Sequence, residues 1–330
     1  MADNLLLTVK QRKLEWLRLK RERELREGMR TFPVPSSLQR DPHQYPSHDV
    51  SEGIETSFLR YTRAERIASS AVYLPILWTN NYHHQRKQSS ISNLVAVPEV
   101  EKFLETLDSK VQYFTVSQGA EGIYEELPDN VFVFSAGGKG DCPIPLVCSP
   151  HPPLENPKTV LASFMGEFAP CGPRITDAPL HRSSSDPNGA GTRVRKKMID
   201  VFKDLPNCKI ARWEADMANY RDLMSRTKYG LCPRGYGKTS FRLYEMFSMG
   251  VVPVYIYDDP WIPYADELDW SLFCVLCPEC EIDFLPYKLR HLSDSWYDRA
   301  IRVASSCFEN YFTTSGVCRQ IAKMVEKNWQ

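Results

Sequence analysis

The run RGYGKTSFRLYE, Arg234 to Glu245, has the residue types and spacing that bind a nucleotide diphosphate. Gly235 and Gly237 let the backbone approach a ligand closely. Thr239 and Ser240 stand where a helix would begin, and the free amides of a helix N-terminus attract phosphate. Tyr236 lies between the two glycines. Arg234 and Arg242 carry forked cationic heads suited to phosphate oxygens. Glu245 follows Arg242 by three residues and shares its helix face, where a carboxylate can accept hydrogen bonds from both hydroxyls of a ribose. Gly250 is placed to end that helix.

Gly237-Lys238-Thr239 also matches the end of the ATPase-type loop G-x-x-x-x-G-K-[ST]. The first glycine of that loop would fall at Cys232. Gly230 is two residues too early, and Pro233 interrupts the turn. An ATP-dependent kinase would rest on GYGKTS alone, and it ranks third among the readings.

Other residues invite chemistry and have plainer explanations. Asp258-Asp259 could bind a metal, yet a pair after VVPVYIY and before Pro260 also suits a loop that caps amides and shapes a sugar pocket. Cys274, Cys277 and Cys280 have C-x2-C-x2-C spacing without a fourth ligand, so no metal is assigned. The ten cysteines are scattered, which favours buried free thiols over disulfides.

The elements that must position the 234–245 run are short apolar stretches alternating with helical ones. AVYLPILW, VQYFTVS and NVFVFSAGG read as buried strands before residue 157, with helices at TRAERIASS and VPEVEKFLETLDS. TVLASFMGEF, CKIARWE, KYGLCP, VVPVYIYD and LFCVLCP read as strands of a second set. VRKKMIDVFKDL, ADMANYRDLMSRT and the segment from Ser240 read as its helices. The pattern is α/β, in two halves of βα units. The divisions are a charged helix and linker at 1–50, a first half at 51–157, a second at 158–295, and helices at 296–330. In the first division residues 5–30 form the helix, with Leu7, Leu14, Leu17 and Leu25 as a loose stripe, and a Pro- and Ser-rich entry segment follows. The polar stretch 169–193 reads as a loop.

The chain has 330 residues, 42% hydrophobic, with a formal net charge of zero. That supports real cores and argues against a general nucleic-acid binder, which would carry a basic excess. No apolar run is long enough to span a membrane, and the N-terminus lacks the features of a signal peptide. A soluble, cytoplasmic chain is expected.

The segment LCPRGYGKTSFRLYEMFSMGVVPVYIYDDPWIPYADELDWSLFCVLCPE resembles the signature of the exostosin family, family 47 of the glycosyltransferases. The likeness runs from about Thr159 to Arg290 and departs from the pattern at Lys238 and after Gly166. It implies a GT-B architecture, two Rossmann-like domains facing a cleft. The C-terminal domain would hold a UDP-sugar, and the N-terminal domain a glycan acceptor. It implies an inverting transfer with no obligatory metal or other cofactor. By the same resemblance Arg234 and Arg242 meet the diphosphate, and Gly235, Tyr236, Gly237, Thr239 and Ser240 form the phosphate turn. Glu245 holds the ribose, and Ser163 and Gly166 lie beneath the donor. From their place in the loop after VVPVYIY, Asp258 and Asp259 are candidates for contacts to sugar hydroxyls. The catalytic base belongs on the acceptor side, where Glu121, His83, His84 and Asp141 are candidates. Trp78, Tyr82 and Tyr124 could stack on sugars. The resemblance allows xylose among the donor sugars and fits a stand-alone cytosolic enzyme, of the kind large DNA viruses of algae encode, or a trimmed one. A non-catalytic glycan- or nucleotide-binding protein of the same fold is the alternative.

Overall fold

The structure, a computed structural model, describes residues 28–39, 53–89, 96–120, 122–148, 151–168, 189–213 and 216–329, with positions 14, 17 and 18. In chain order the helices are α1 (Ile54–Ala64), α2 (Trp78–Ser89), α3 (Pro98–Leu104), α4 (Ala190–Phe202), α5 (Met217–Ser225), α6 (Phe241–Ser248), α7 (Leu285–His291), α8 (Asp294–Tyr311) and α9 (Thr314–Asn328). The strands are β1 (Val72–Tyr73), β2 (Tyr113–Ser117), β3 (Val131–Ser135), β4 (Cys142–Pro143), β5 (Val160–Met165), β6 (Cys208–Ala211), β7 (Thr227–Pro233), β8 (Val252–Tyr257) and β9 (Val275–Pro278).

These strands form two sheets, ordered β1-β2-β3-β4 and β6-β5-β7-β8-β9, and every pairing is parallel. Parallel strands covered on both faces read as continuous apolar runs, which is why VFVFS and VPVYIY were recognisable. The protein is α/β, in two halves each built on an all-parallel sheet. In the second sheet β5 lies between β6 and β7, so the chain reverses its direction of travel there. Ligands of open α/β sheets bind at the carboxyl ends of the strands at such a reversal. Here those ends are Met165-Gly166 and Pro233-Arg234.

Gly230 explains how α6 comes to lie flat on β7. A Cβ at that position would stand 2.3 Å from the Met246 sulfur. Gly250, with φ of 64°, turns the chain from α6 into β8 in the left-handed region that glycine favours.

The structure departs from the sequence expectations in the first half. AVYLPILW is not one strand: only Val72–Tyr73 pairs, and α2 begins at Trp78. Pro75 offers no amide to the ladder, and Ile76 N–H turns back to the Leu74 carbonyl at 2.9 Å. The helix read at TRAERIASS is displaced upstream, because α1 occupies 54–64 and Glu65 is extended. β2 and β3 are joined by residues 118–130 with no helix among the described positions. The entry segment is not a free linker at residues 29–38: Phe32 N–H bonds the Tyr73 carbonyl at 2.8 Å, and Leu38 is buried in the first half. In LFCVLCP the strand starts only at Val275, after a 3-10 turn at Trp270–Leu272. Of the N-terminal helix, Leu14 and Leu17 are exposed. The rest of that helix, and most of the 169–193 loop, lie outside the described residues.

The end of the chain returns to the first half. Trp329 stacks on Phe114 at 5.7 Å, its carbonyl accepts from Ser70 N–H at 2.7 Å, and Glu326 accepts from Ala68 N–H at 3.1 Å. Between α8 and α9, Phe312 stacks on Phe247 of α6 at 4.7 Å and contacts Trp270 and Phe273. Phe312 therefore ties the C-terminal helices to the helix that carries Arg242. Phe312→Ala is expected to destabilise the fold by about 3–5 kcal/mol, read as a lower denaturation midpoint in urea.

Candidate functional site

At the carboxyl ends of β5 and β7 three groups are buried without partners: Thr239 Oγ1, Ser240 Oγ and Arg242 Nε. Ser240 is the N-cap of α6, yet its side chain makes no capping bond. Thr239 is 1% exposed. Buried polar atoms are nearly always satisfied, so a cluster of orphans at one helix N-terminus marks a place for an acceptor-rich ligand.

Arg242 reaches back across the sheet end. Its Nη2 bonds the Met165 carbonyl, and its guanidinium lies 4.6 Å from the Phe164 ring centroid and 5.8 Å from that of Tyr220. Burial works against its charge, but Tyr220 and Glu245 more than offset this and raise its pKa above the ordinary arginine value. Gly166 makes room for it, since a Cβ there would stand 2.7 Å from Nη2. Glu245, one turn along α6, accepts from Tyr220 Oη at 2.7 Å.

Arg234 is placed differently from the sequence expectation. It is 2% exposed, and its head is turned inward. Nη1 bonds both Asp258 oxygens at 2.8 and 3.0 Å, Nε bonds the Gly237 carbonyl at 3.0 Å, and Nη2 bonds the Tyr236 carbonyl at 3.0 Å. It braces the turn from within rather than facing a ligand. Asp258 is correspondingly committed, and burial that would raise its pKa is outweighed by Arg234, which lowers it. Asp259 pairs with Lys238 Nζ at 2.6 Å. Tyr236 is 37% exposed at the tip of the turn. Gly235 N–H closes the turn on the Thr239 carbonyl at 2.9 Å.

Ser163 does not face a ligand either. It is fully buried, with its hydroxyl 2.8 Å from Thr227 Oγ1. Trp78 and Tyr82 are core residues rather than sugar platforms, with Trp78 Nε1 on Thr115 Oγ1 at 2.8 Å and Tyr82 on Glu125. Tyr124 sits edge-on to Tyr82. His83 and His84 lie on α2, not on a strand-end loop, and His84 Nε2 is buried without a partner. Asp141 accepts from Val133 N–H at 2.8 Å, an edge contact of β3. Glu121 lies outside the described residues. Cys274 and Cys277 are buried free thiols and Cys280 is exposed. Among the described residues no group of three or more His, Cys, Asp or Glu could hold a metal ion, and no helix is long and apolar enough to cross a membrane.

Two features were not legible in the sequence. Arg195 on α4 enters the site beside Phe164, 5.9 Å from its ring centroid. It stood in VRKKMIDVFKDL as one basic residue among several. Glu55, in the first turn of α1, is 4% exposed and accepts from Thr79 Oγ1 at 2.7 Å, Thr79 N–H at 3.1 Å and Gln118 N–H at 2.8 Å. Burial pushes its carboxyl up to about 7. The loop it anchors leads to the other half. A Cβ on Gly237 would stand 1.7 Å from the Ala120 carbonyl oxygen and 2.2 Å from that of Gly137. Lys238 N–H bonds the Gly137 carbonyl at 3.0 Å, and Trp261 Nε1 bonds the Ser135 carbonyl at 2.9 Å. The turn of the second half thus touches the strand-end loops of the first, backbone on backbone.

Below its ordinary value of 4.5, Glu55 is protonated whether the chain is folded or not. Between there and about 7 the unfolded chain ionises while the folded chain keeps the proton, so stability falls as pH rises. Across that window the loss approaches about 3 kcal/mol. Glu55→Gln is expected to flatten this slope in melting curves recorded between those two pH values. Gly237→Ala is expected to cost about 1–3 kcal/mol by forcing the seam apart, measured as a lowered urea midpoint.

Residues 132–292 match the family model of the exostosin GT47 domain. The chain is 30% identical over 135 residues to the Arabidopsis thaliana protein named "Probable beta-1,4-xylosyltransferase IRX10L", covering 40% of this chain and 29% of that protein. It is 30% identical over 135 residues to "Probable glucuronosyltransferase 47 A" of Physcomitrium patens, covering 40% of this chain and 27% of that one. The chain thus spans under a third of the length of these curated relatives. Among solved structures TarM aligns with a TM-score of 0.39 at 9% identity, over 68% of this chain and 52% of that one. A glycosyltransferase from Rickettsia africae aligns at 0.36 and 11% identity, over 88% and 84%. Both scores are too low to bear on fold or function. Over residues 132–292 the chain is similar to the exostosin GT47 domain, and the relatives it matches carry glycosyltransferase names.

Proposed function

We propose that the protein transfers a sugar from a UDP-sugar to a hydroxyl of a glycan acceptor, with inversion at the anomeric carbon. The observation that carries this reading is the orphaned cluster of Thr239, Ser240 and Arg242 at the N-terminus of α6, set at the strand reversal of the second sheet. Xylose is among the sugars that fit, supported by a relative named a xylosyltransferase.

The chemistry divides between the halves. An acceptor hydroxyl oxygen attacks the anomeric carbon as the bond from that carbon to the diphosphate oxygen breaks. The proton of the hydroxyl passes to a base, and UDP leaves with its electron pair. Charge builds on the leaving diphosphate, and the α6 amides and Arg242 stabilise it without any reorganisation. Glu245, already holding Tyr220, is positioned to take ribose hydroxyls. His83 on α2 and Glu121 are the candidates for the base, on the first half where the acceptor would bind. No metal or other cofactor is required by this scheme, since arginine and helix amides supply the positive charge.

Thermal unfolding in the presence of UDP, GDP, ADP and ATP tests the donor site. UDP at a hundredfold excess over its dissociation constant is expected to stabilise the protein by about 2.7 kcal/mol. Arg242→Ala should remove that shift while keeping the unliganded melting profile cooperative. UDP release from a panel of UDP-sugars then identifies the donor. A shift selective for ATP, or no shift with any nucleotide, would reject the proposal.

A further inference from the structure

Arg195 and Arg242 approach the same place from different helices. Phe164, on β5, lies against both guanidinium groups, 5.9 Å from one and 4.6 Å from the other. Arg195 donates from Nε to the Arg234 carbonyl at 3.1 Å and from Nη1 to the Glu167 carbonyl at 2.8 Å. Its Nη2 faces bare backbone, 3.7 Å from where a Cβ on Gly235 would stand. Among the described residues neither arginine forms an ion pair; both bond carbonyl oxygens, and Tyr220 and Glu245 act on the charge of Arg242.

Two neighbouring cations, neither in a direct ion pair and only Arg242 with a carboxylate, Glu245, acting on its charge, leave room for an anion. Burial and then the Arg242 charge bring Arg195 down to about 10. Thr239 Oγ1 and Ser240 Oγ, buried and without partners, lie at the start of the helix that bears Arg242. Gly235 stands between that turn and Arg195, leaving the approach clear of a side chain. Arg234 cannot supply the second charge for an anion here, because Asp258 already neutralises it.

We propose that Arg195, together with Arg242, is the residue that grips the diphosphate of the donor, while Arg234 serves as the internal brace of the turn. This rests on the reading of the site as a nucleotide-diphosphate pocket. A diphosphate would bring its negative charge to this pair of neighbouring arginines. Affinity for the anion and for the rest of the nucleotide should therefore separate on substitution.

Calorimetric titration of the full chain with UDP, pyrophosphate and uridine tests this, using Arg195→Ala and Arg195→Lys. Loss of charge-assisted bonds should weaken UDP and pyrophosphate by roughly 10- to 100-fold in Arg195→Ala. Uridine affinity should be unchanged, and Arg195→Lys should fall between the wild type and Arg195→Ala. If Arg195→Ala does not fold, Arg195→Lys carries the test, with a selective loss of the two phosphate ligands expected. UDP and pyrophosphate binding at wild-type strength in the folded variants would overturn the proposal. So would an equal loss of uridine, which would mark Arg195 as scaffold. Pyrophosphate binding that depends on Arg195 without any preference for UDP supports the arginine assignment and rejects the UDP reading. A wild-type protein that binds none of the three overturns both.

Discussion

The ion pair between Arg234 and Asp258 holds the rest of the site in place. A guanidinium with almost no access to water needs every donor answered, and here the answers come from one carboxylate and the carbonyls of Tyr236 and Gly237. Removing one partner of such a pair leaves a buried charge, which costs several kcal/mol. The turn 234–240 therefore has one shape. Its Tyr236 and Gly237 carbonyls are drawn inward by Arg234. The same pair links the end of β7 to the loop after β8, so the floor of the site is rigid across two strands. Asp258 also lies 3.8 Å from Arg193 near the start of α4, and Arg193 is itself paired with Glu279 at 2.6 Å. The helix that presents Arg195 is thus tied to the brace.

A second constraint is the absence of side chains at the seam between the halves. A methyl group at Gly237 would overlap the Ala120 carbonyl oxygen across the seam, and one at Gly137 would overlap the Gly119 carbonyl oxygen of the neighbouring loop in its own half. This explains two glycine-containing stretches, SQGAEG and FSAGGKG, that have no phosphate role in the structure. They permit two loops of the first sheet to lie against the turn of the second. Glu55 holds one of these loops from behind through Gln118. The Trp261 indole fixes the other through Ser135. Trp329, packed against the far side of the first sheet, adds a covalent return path between the halves through α8 and α9.

The second half was largely legible because its signals are local. Buried parallel strands give apolar runs, glycine and proline mark their ends, and Ser240 marks the start of α6. The strand reversal at β5 was not legible, since sheet order depends on tertiary pairing and not on any run of residues. The first half was read less well for the same reason. Pro75 sits inside an apolar run and ends the strand early, and the described residues of 118–130 carry the chain between parallel strands without a helix. Among site residues, Arg242 and Glu245 stand out by spacing on one helix. Arg234 belongs to the same motif by position, yet its chemistry was decided by Asp258, twenty-four residues away. Arg195 and Glu55 were hidden, because a basic residue on an amphipathic helix and an acid in a helix first turn are ordinary surface choices until the fold buries them.

The distribution of charge gives a physical reason for dividing the arginines between two tasks. A diphosphate leaving group needs positive charge that is already oriented, because reorganising it during bond cleavage would raise the barrier. An arginine neutralised by a carboxylate contributes geometry but little net field. One that bonds only carbonyl oxygens keeps most of its charge for an incoming anion. Arg234 is of the first kind and Arg195 of the second; Arg242 lies between them, bonding the Met165 carbonyl with Tyr220 and Glu245 beside it. The Phe164 ring lies near both guanidinium groups and attracts each of them. In the proposed transferase this sets the brace, the other two arginines and the helix amides on one side of the scissile bond. The opposite side is left to the loops of the first half that meet Gly237. Under this arrangement the acceptor hydroxyl would be held, and its base supplied, by those loops or by α2. The acceptor would then be selected by the half in which the sequence pattern was weakest.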